Sequence, residues 1–534
     1  MHNYTKKILL ASALIFCTFI TGFSKDYIAR KWEVVEMDFT FRGRLEDPFK
    51  VNFGVVLTYS TGFSTTIPGF YNGDKTWLIR FCPDLEGVWA YETFSSVAAL
   101  AGQKGKIRVD SKTKLDEHGP IVVSKDNSQK FAYADGTPYF LMAFELDWLF
   151  ALDLGNEEGI PNTEKIIDEV DKNEFNHIVM NVYAYDAPWG EKDKIDPKYN
   201  FARPSVFPFG GSNDNPDYST LNIYFFKHLD RVIAHLDQKE IIAHLMIYVW
   251  NKEVNWPEPN SEADNLYFDY VAKRYQAFPN LVWDISKEAL DYGREDMGHV
   301  TNRIDRLRKL DGHGRLLSVH DYNYCDAFPE KVDFISIQEW RPNVYNAMLD
   351  VRTKHAKKPV FNIEHGGYEK TMHSIFDGAY NDPLACLDRN YKCVFGGAYS
   401  TYYWQNASWY EVVYEPFDLP ESQQPNFHYY QNLVKLFTAY DFTKLQTYQL
   451  AFTPMTLTDH KTVYMYYLTQ DMLIVSGDAP YLKGKTVAIK WFNPLTGTFV
   501  DGGKKNYDQD IWLGLRKPAE VTSPICVAIL EVIK

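Results

Sequence analysis

Past its first two dozen residues the 534-residue chain has no block of lysine and arginine, and its formal net charge is −14. That weighs against duplex or single-stranded nucleic acid as a partner. No second long apolar run follows the amino-terminal one, so no integral membrane segment is expected once a leader is removed. No glycine-rich phosphate turn follows an early strand, which removes the doubly wound nucleotide folds. His-Glu-x-x-His, closely spaced Cys/His sets and calcium loops are all missing, so no metal and no other cofactor is expected. Cysteine is scarce: Cys17 lies in the leader, and Cys82, Cys325, Cys386, Cys393 and Cys526 remain. An odd, scattered set is no disulfide framework; one or two bridges at most are expected, Cys386/Cys393 being nearest in sequence, and otherwise buried thiols. No internal repeat or low-complexity tract occurs.

What is abundant is aromatic side chain: 16% of residues, with 13 Trp and 37 Tyr. Flat rings with polar edges suit carbohydrate clefts as well as cores. The length asks for two or three domains. Residues 1–24 read as an export signal, with Lys6 and Lys7 before the apolar run Ile8–Ile20 and a cut between Gly22 and Lys25. Cys17 follows Phe16 rather than a small residue, so a lipid anchor is not expected. The mature protein is expected to be exported, periplasmic or extracellular, and a monomer or weak homo-oligomer.

Residues 25–115 show short alternating runs punctuated by Gly, Asp and Pro, the pattern of an amino-terminal β-sandwich. Residues 116–439 change texture. Eight candidate strands (Tyr139–Phe144, His177–Val182, Ile242–Val249, Leu281–Ile285, Leu316–Val319, Phe334–Ile337, Pro359–Ile363 and Val394–Tyr402) alternate with helical stretches (Asn162–Asn173, Ile223–Gln238, Ala263–Ala277, Met297–Leu310, Val344–Lys354 and Pro383–Lys392), which predicts a (β/α)8 TIM barrel. Residues 440–534 return to short strands and a carboxy-terminal β-sandwich. The fold class is therefore multidomain, α/β and all-β, with a central barrel flanked by two sandwiches.

The barrel is organised around two strand ends. Asn280–Leu290 and Lys358–Tyr368 are apolar runs that each deliver one carboxylate to the rim, Glu288 and Glu364. Two acids on separate strands at one barrel face are what glycosidic bond cleavage requires, one to donate a proton and one to attack or direct water. The other strand ends supply carboxylates, rings and donors for binding a glycan: Asp147, Trp148, Asp186, Trp189, Trp250, Lys287, His320, Tyr322, Glu339, Trp340, His365 and Trp404. Asp291, Asp186 and Glu339 stand as alternative acids. The loops Tyr185–Tyr218 and Asn251–Asp264 are long enough to wall one end of the groove, which would favour exo action.

PGFYNGDKTWLIRFCPDLEGVWAYETFSS resembles the amino-terminal β-sandwich module that precedes the barrel in a group of bacterial glycoside hydrolases, through Gly69, Phe70, Tyr71, Gly73, Asp74, Arg80, Phe81, Pro83, Gly87, Trp89, Tyr91 and Thr93. Asn72 and Lys75 depart from the commonest form. NLVWDISKE resembles the strand-four motif of barrel glycosidases, and KPVFNIEH their strand-seven motif. That resemblance implies Glu288 as general acid/base, Glu364 as nucleophile of a retaining reaction, and Trp404 as the floor of the −1 site. KWFNPLTG resembles a turn of the carboxy-terminal domain beside such barrels, in relatives once labelled collagen-binding. One position departs: Lys287 stands where the motif has Asn. A lysine there suits a substrate carboxylate or points outward, and its charge would lower the pKa of a neighbouring carboxyl.

A glycoside hydrolase acting on a polysaccharide or its fragments is the function expected. A non-catalytic sugar-binding protein on a decayed barrel is the alternative in another class. A polysaccharide lyase using His and Tyr is a third.

Overall fold

The computed structural model describes residues 25–111, 117–188, 192, 196–292, 296–366, 368–369, 379–380, 382–449, 452–453, 455–508 and 511–533. The leader read from residues 1–24 and the residue Trp189 lie outside them. Three β-containing regions follow one another along the chain.

In the first, a five-stranded sheet (spatial order Tyr27–Arg30, Lys104–Asp110, Gly87–Ser95, Phe53–Tyr59, Ser64–Pro68) faces a three-stranded one (Val35–Thr40, Thr76–Phe81, Phe70–Tyr71). Alternation puts Met37, Val55, Leu57, Ile79, Trp89 and Ile107 into the shared core. Of the resemblance residues, Phe81, Trp89 and Tyr91 lie in this core, while Arg80 and Tyr71 reach the barrel. Arg80 donates to both carboxylate oxygens of Asp230 at 2.9 and 2.7 Å and to Glu36 at 2.7 Å. The Tyr71–Asn72 turn receives the Tyr270 hydroxyl on the Tyr71 carbonyl and an Arg274 N–H on the Asn72 side chain.

The central region is a parallel eight-stranded barrel. Its strands are β1 (Met142–Glu145), β2 (His177–Asn181), β3 (Ile242–Val249), β4 (Leu281–Lys287), β5 (Leu317–His320), β6 (Ile335–Gln338), β7 (Val360–Glu364) and β8 (Tyr399–Tyr402). They pair in the order β5-β4-β3-β2-β1-β8-β7-β6. The one seam in the sheet, between β5 and β6, is bridged by Asp333 N–H to the Leu317 carbonyl at 2.8 Å and by the Ser318 hydroxyl to the Phe334 carbonyl at 2.9 Å. β3 and β4 are buried at every position, as strands covered on both faces must be.

The outer helices are α1 (Pro161–Lys172), α2 (Ile223–Gln238), α3 (Glu262–Tyr275), α4 (Met297–Leu310), α5 (Tyr322–Ala327), α6 (Val344–Lys354), α7 (Pro383–Phe395) and α8 (Phe427–Ala439). Ser261, Asp296 and Asp382 cap their starts through side-chain oxygens. Val394 and Phe395, read from sequence as the start of β8, instead finish α7. A three-stranded sheet (Ile121–Val123, Phe131–Tyr133, Pro138–Tyr139) packs beneath the barrel, with Phe131 against Phe334 and Tyr399.

The last region is a six-stranded sheet, in the order Gln446–Tyr448, Thr456–Thr458, Val463–Leu468, Cys526–Val532, Thr486–Asn493, Thr498–Asn506, beside a two-stranded one, Ile474–Val475 with Leu515–Arg516. It is seated on α7 and α8. Tyr467 stacks on Tyr391 and donates to Asp388 at 2.6 Å, while Asn432 and Lys435 donate to the carbonyls of Pro494 and Gly497 in the WFNPLTG turn. Gly497 has φ +64°, and a Cβ there would lie 2.2 Å from the Asn432 side-chain oxygen, so turn and helix close on each other. Cys82, Cys325, Cys386, Cys393 and Cys526 are buried thiols. Among the described residues no helix is long and apolar enough to cross a membrane.

Candidate active site

Both acidic strands break register just below the rim. The β4–β5 pairing shifts between Asp284 and Lys287, and the β6–β7 pairing between Ile337 and Gln338. A bulge frees backbone amides, and Asp284 takes two of them: its Oδ1 accepts from Ser286 N–H and His320 N–H, both at 3.0 Å. Its other oxygen lies 3.2 Å from His244, which bonds His177 at 3.0 Å inside the barrel. Glu288 follows this bulge with φ +54°. Glu364 ends β7, and Gly366 then turns the chain at φ +71°, where any Cβ would meet the Trp340 ring at 2.8 Å.

The bulges turn Lys287, Glu288 and Glu364 into one buried cluster. Glu288, 8% exposed, accepts from the Asn251 amide on one oxygen and from Gln338 Nε2 at 3.2 Å on the other. Burial and then the Glu364 carboxylate push its pKa up to about 7, while Lys287 and the Gln338 hydrogen bond oppose them. The Lys287 ammonium points into the barrel, 2.6 Å from Glu145, 3.3 Å from Asp147 and 3.5 Å from Glu364. The outward orientation considered from the sequence is not adopted. Burial disfavours the lysine charge, but Asp147, Glu145 and Glu364 outweigh it and hold its pKa well above the ordinary value.

Lys252 approaches Asp147 from the other side at 3.2 Å. Burial opposes ionisation of Asp147, yet the two ammonium groups prevail and hold it below the usual range. Glu145 is pushed well up by burial; Lys287 resists this, and Asp147 and Glu364 reinforce it. His320 Nε2 stands 3.8 Å from Glu364, and burial together with Lys287 keeps the imidazole neutral. Beside the carboxylates, over the β5–β6 seam, opens a cleft of 560 Å³ whose lining includes His320, Tyr322, Gln338, Glu339, Trp340 and Arg341.

Two family descriptions match the chain. "Apiosidase-like, catalytic domain" covers residues 125–445. The chain belongs to the apiosidase-like family. A domain of unknown function, DUF5060, covers residues 28–96, the region of the amino-terminal sheets. A candidate glycoside hydrolase from Bacteroides vulgatus ATCC 8482 superposes with a TM-score of 0.78 at 20% identity, over 95% of this chain and all of that one. A family 5 glycoside hydrolase from the same organism gives 0.57 at 16% identity, over 78% of this chain and 93% of that one. At such identities the likeness is one of fold. No curated protein matches. In general terms, then, this is a carbohydrate-cleaving enzyme fold: a barrel with flanking β-sheet regions.

Within the apiosidase-like barrel the other expected site residues separate into groups. His320, Tyr322, Glu339 and Trp340 line the cleft, although Tyr322 donates to Asp326 at 3.3 Å and Glu339 is clamped by Arg341. Asp186 is engaged by Lys192 and, at 2.8 Å, by Arg203 in the second βα loop. Trp148 and Trp404 are wholly buried, and Trp250 is 8% exposed, stacked on Tyr248. His365 accounts for itself structurally: Nε2 bonds the Thr401 carbonyl at 2.8 Å, and burial pushes its pKa down to about 3.

Within the described residues, the second and third long loops are tied to each other. A hairpin, Phe209–Ser212 with Asn215–Leu221, is joined to the third loop through Asn213–Asn255 and Tyr218–Asn255 hydrogen bonds. Glu145, Asn251, Gln338 and Tyr403, which also stand at strand ends in the sequence, complete the cluster together with Lys252, which the sequence reading passed over. Their signal was available in part, because each lies at or within three residues of a strand's carboxyl end. Among the described residues no group of three or more His, Cys, Asp or Glu side chains could hold a metal ion.

Proposed function

We propose that the protein is an exported glycoside hydrolase that works by retaining double displacement. In the first step a Glu364 oxygen forms a bond to the anomeric carbon as the glycosidic C–O bond breaks, and the Glu288 proton passes to the leaving oxygen. In the second, Glu288, now a carboxylate, takes a proton from water, whose oxygen displaces Glu364 from the sugar. One observation carries this reading: the buried Glu288 carboxyl has its pKa pushed up to about 7 beside a second acid on β7, so it still holds a proton near neutrality. Asn251 and Gln338 donate to the two oxygens of Glu288 and support its carboxylate form, the state that activates water in the second step. These intact surroundings favour catalysis over a sugar-binding barrel that has lost it.

The family's name makes a terminal apiosyl unit, a branched pentofuranose, the first glycone to test. The cleft on the β5–β6 side has room for the remainder of the glycan. The test is a panel of aryl apiosides, other aryl pentofuranosides and plant glycans, given to wild type, Glu288→Ala and Glu364→Ala, with the anomer of the first product followed by NMR. Retention, and loss of turnover in both variants on unactivated glycans, is the expected result. Full-rate hydrolysis in either variant refutes the assignment, and an unsaturated product would select elimination instead.

A further inference from the structure

We infer that Lys287 is a positioning residue for the reaction proposed above, on which this inference rests: its ammonium, clasped by Glu145 and Asp147, is the fixed cation against which the Glu364 carboxylate is seated. An ammonium has three N–H bonds. Here the group is 2% exposed and three carboxylates surround it, two from the β1 end and one from β7. The contacts are graded, with 2.6 Å to Glu145, 3.3 Å to Asp147 and 3.5 Å to Glu364. The lysine is thus gripped by β1 and offered more loosely to the acid on β7.

The grip is itself anchored. Lys252 bonds the far oxygen of Asp147 at 3.2 Å and the Trp409 carbonyl at 3.2 Å, tying the β1 end to the third and eighth loops. The charged and titratable groups facing Lys287 are therefore Glu145, Asp147, Glu364, Tyr403, the neighbouring Glu288, Lys252 and the neutral His320.

This grading suits a nucleophile. A cation bonded tightly to Glu364 alone would orient it but blunt its attack, and would be left unpaired once that attack neutralised the carboxylate. When a Glu364 oxygen becomes the ester oxygen of a glycosyl-enzyme, its negative charge is lost to the new bond. The electron pair of the broken bond goes to the leaving oxygen, which takes the Glu288 proton. Lys287 retains Glu145 and Asp147 throughout, so no buried cation is stranded. The same enclosure leaves the ammonium no open side for a substrate carboxylate.

The test is steady-state kinetics of Lys287→Met, Lys287→Arg and Glu364→Ala on whichever aryl glycoside wild type hydrolyses, each across the pH range. Lys287→Met is expected to lose about 10²–10³-fold in kcat with KM changed less than about threefold. Its basic limb is expected to move to higher pH, because Lys287 is one of the groups holding Glu288 down. Lys287→Arg keeps the charge, so its basic limb stays in place while its larger planar head costs at least about tenfold in kcat. If the methionine variant does not fold, the arginine variant alone decides.

Wild-type kcat in either variant, or loss of kcat in Lys287→Met with the basic limb unmoved, overturns the inference. So does a defect confined to KM for acidic substrates, which would make Lys287 a substrate receptor. Glu364→Ala separates the two failures: an inactive Glu364→Ala beside a fully active Lys287→Met sinks only this inference, whereas an active Glu364→Ala sinks the proposed mechanism.

Discussion

Two of the charge clusters among the described residues are finished differently. At the junction between the amino-terminal sheets and the barrel, Asp230 accepts four hydrogen bonds, two from Arg80 and two from Arg274. Glu36, Asn72 and Tyr270 take other guanidinium N–H groups. Burial alone would raise the Asp230 pKa, but Arg274 and Arg80 prevail and bring it down to about 2. At the barrel mouth three carboxylates surround Lys287, with Lys252 behind Asp147, and burial together with the Glu364 carboxylate pushes the Glu288 pKa up to about 7. Complete pairing makes an ionised cluster an inert clamp, whereas incomplete pairing leaves a proton ready to be transferred.

Exchanging the damage between the clusters is the strongest way to break this contrast. Glu364→Ala is expected to cost about 10⁴-fold or more in kcat/KM on an unactivated glycan while thermal unfolding stays within a few degrees of wild type. Arg80→Met should do the reverse. Stranding Asp230 in part and unpairing Glu36 costs roughly 3–5 kcal/mol of stability by denaturant titration, with kcat/KM per folded molecule unchanged. A catalytic defect in Arg80→Met would show that the junction is no mere clamp.

A smaller effect sharpens the comparison through pH. The Glu288 pKa stands at about 7 in the folded protein, against an ordinary value of 4.5. Because the folded state binds this proton more tightly, the stability it confers is present below about pH 4.5 and is lost as pH rises through about 7. Glu288→Gln has no such dependence. It should match wild type within about 1 kcal/mol at pH 4.5 and exceed it by up to roughly 3 kcal/mol at pH 8. Equal stability of the two proteins at pH 8 would mean that Glu288 is not held protonated.

The sequence made the barrel legible because its signals were local. β3, α2, α4 and α6 stand at the residues expected, since an apolar run between turn residues and a 3.6-residue period do not depend on distant contacts. α8 was passed over; Asn426, at its start, makes no cap and gives its side chain to Glu369 instead. Thr498–Asn506, mostly exposed and rich in Gly and Lys, reads as loop, and it is a strand only because Thr486–Asn493 pairs with it.

In the site, Glu288 and Glu364 were legible as strand-end acids. Asp147 and Lys287 were legible as strand-end residues too, but their contacts were not, because Lys287, Glu145, Asp147 and Lys252 meet across a barrel that brings together residues more than a hundred positions apart. Trp148 and Trp404 show the converse limit: a ring at a strand end reads the same in sequence whether it lines a cleft or, as here, is buried.

The most direct measurement is the pH dependence of kcat/KM for wild type on an unactivated glycan and for Glu288→Gln on an activated aryl glycoside whose leaving group needs no proton. On unactivated substrate, wild type is expected to lose activity on the basic side with a midpoint near pH 7, the value to which Glu288 is pushed. Glu288→Gln on the activated substrate should show no such limb. A basic limb near pH 7 that persists in Glu288→Gln would place the titrating proton on another group and contradict the account.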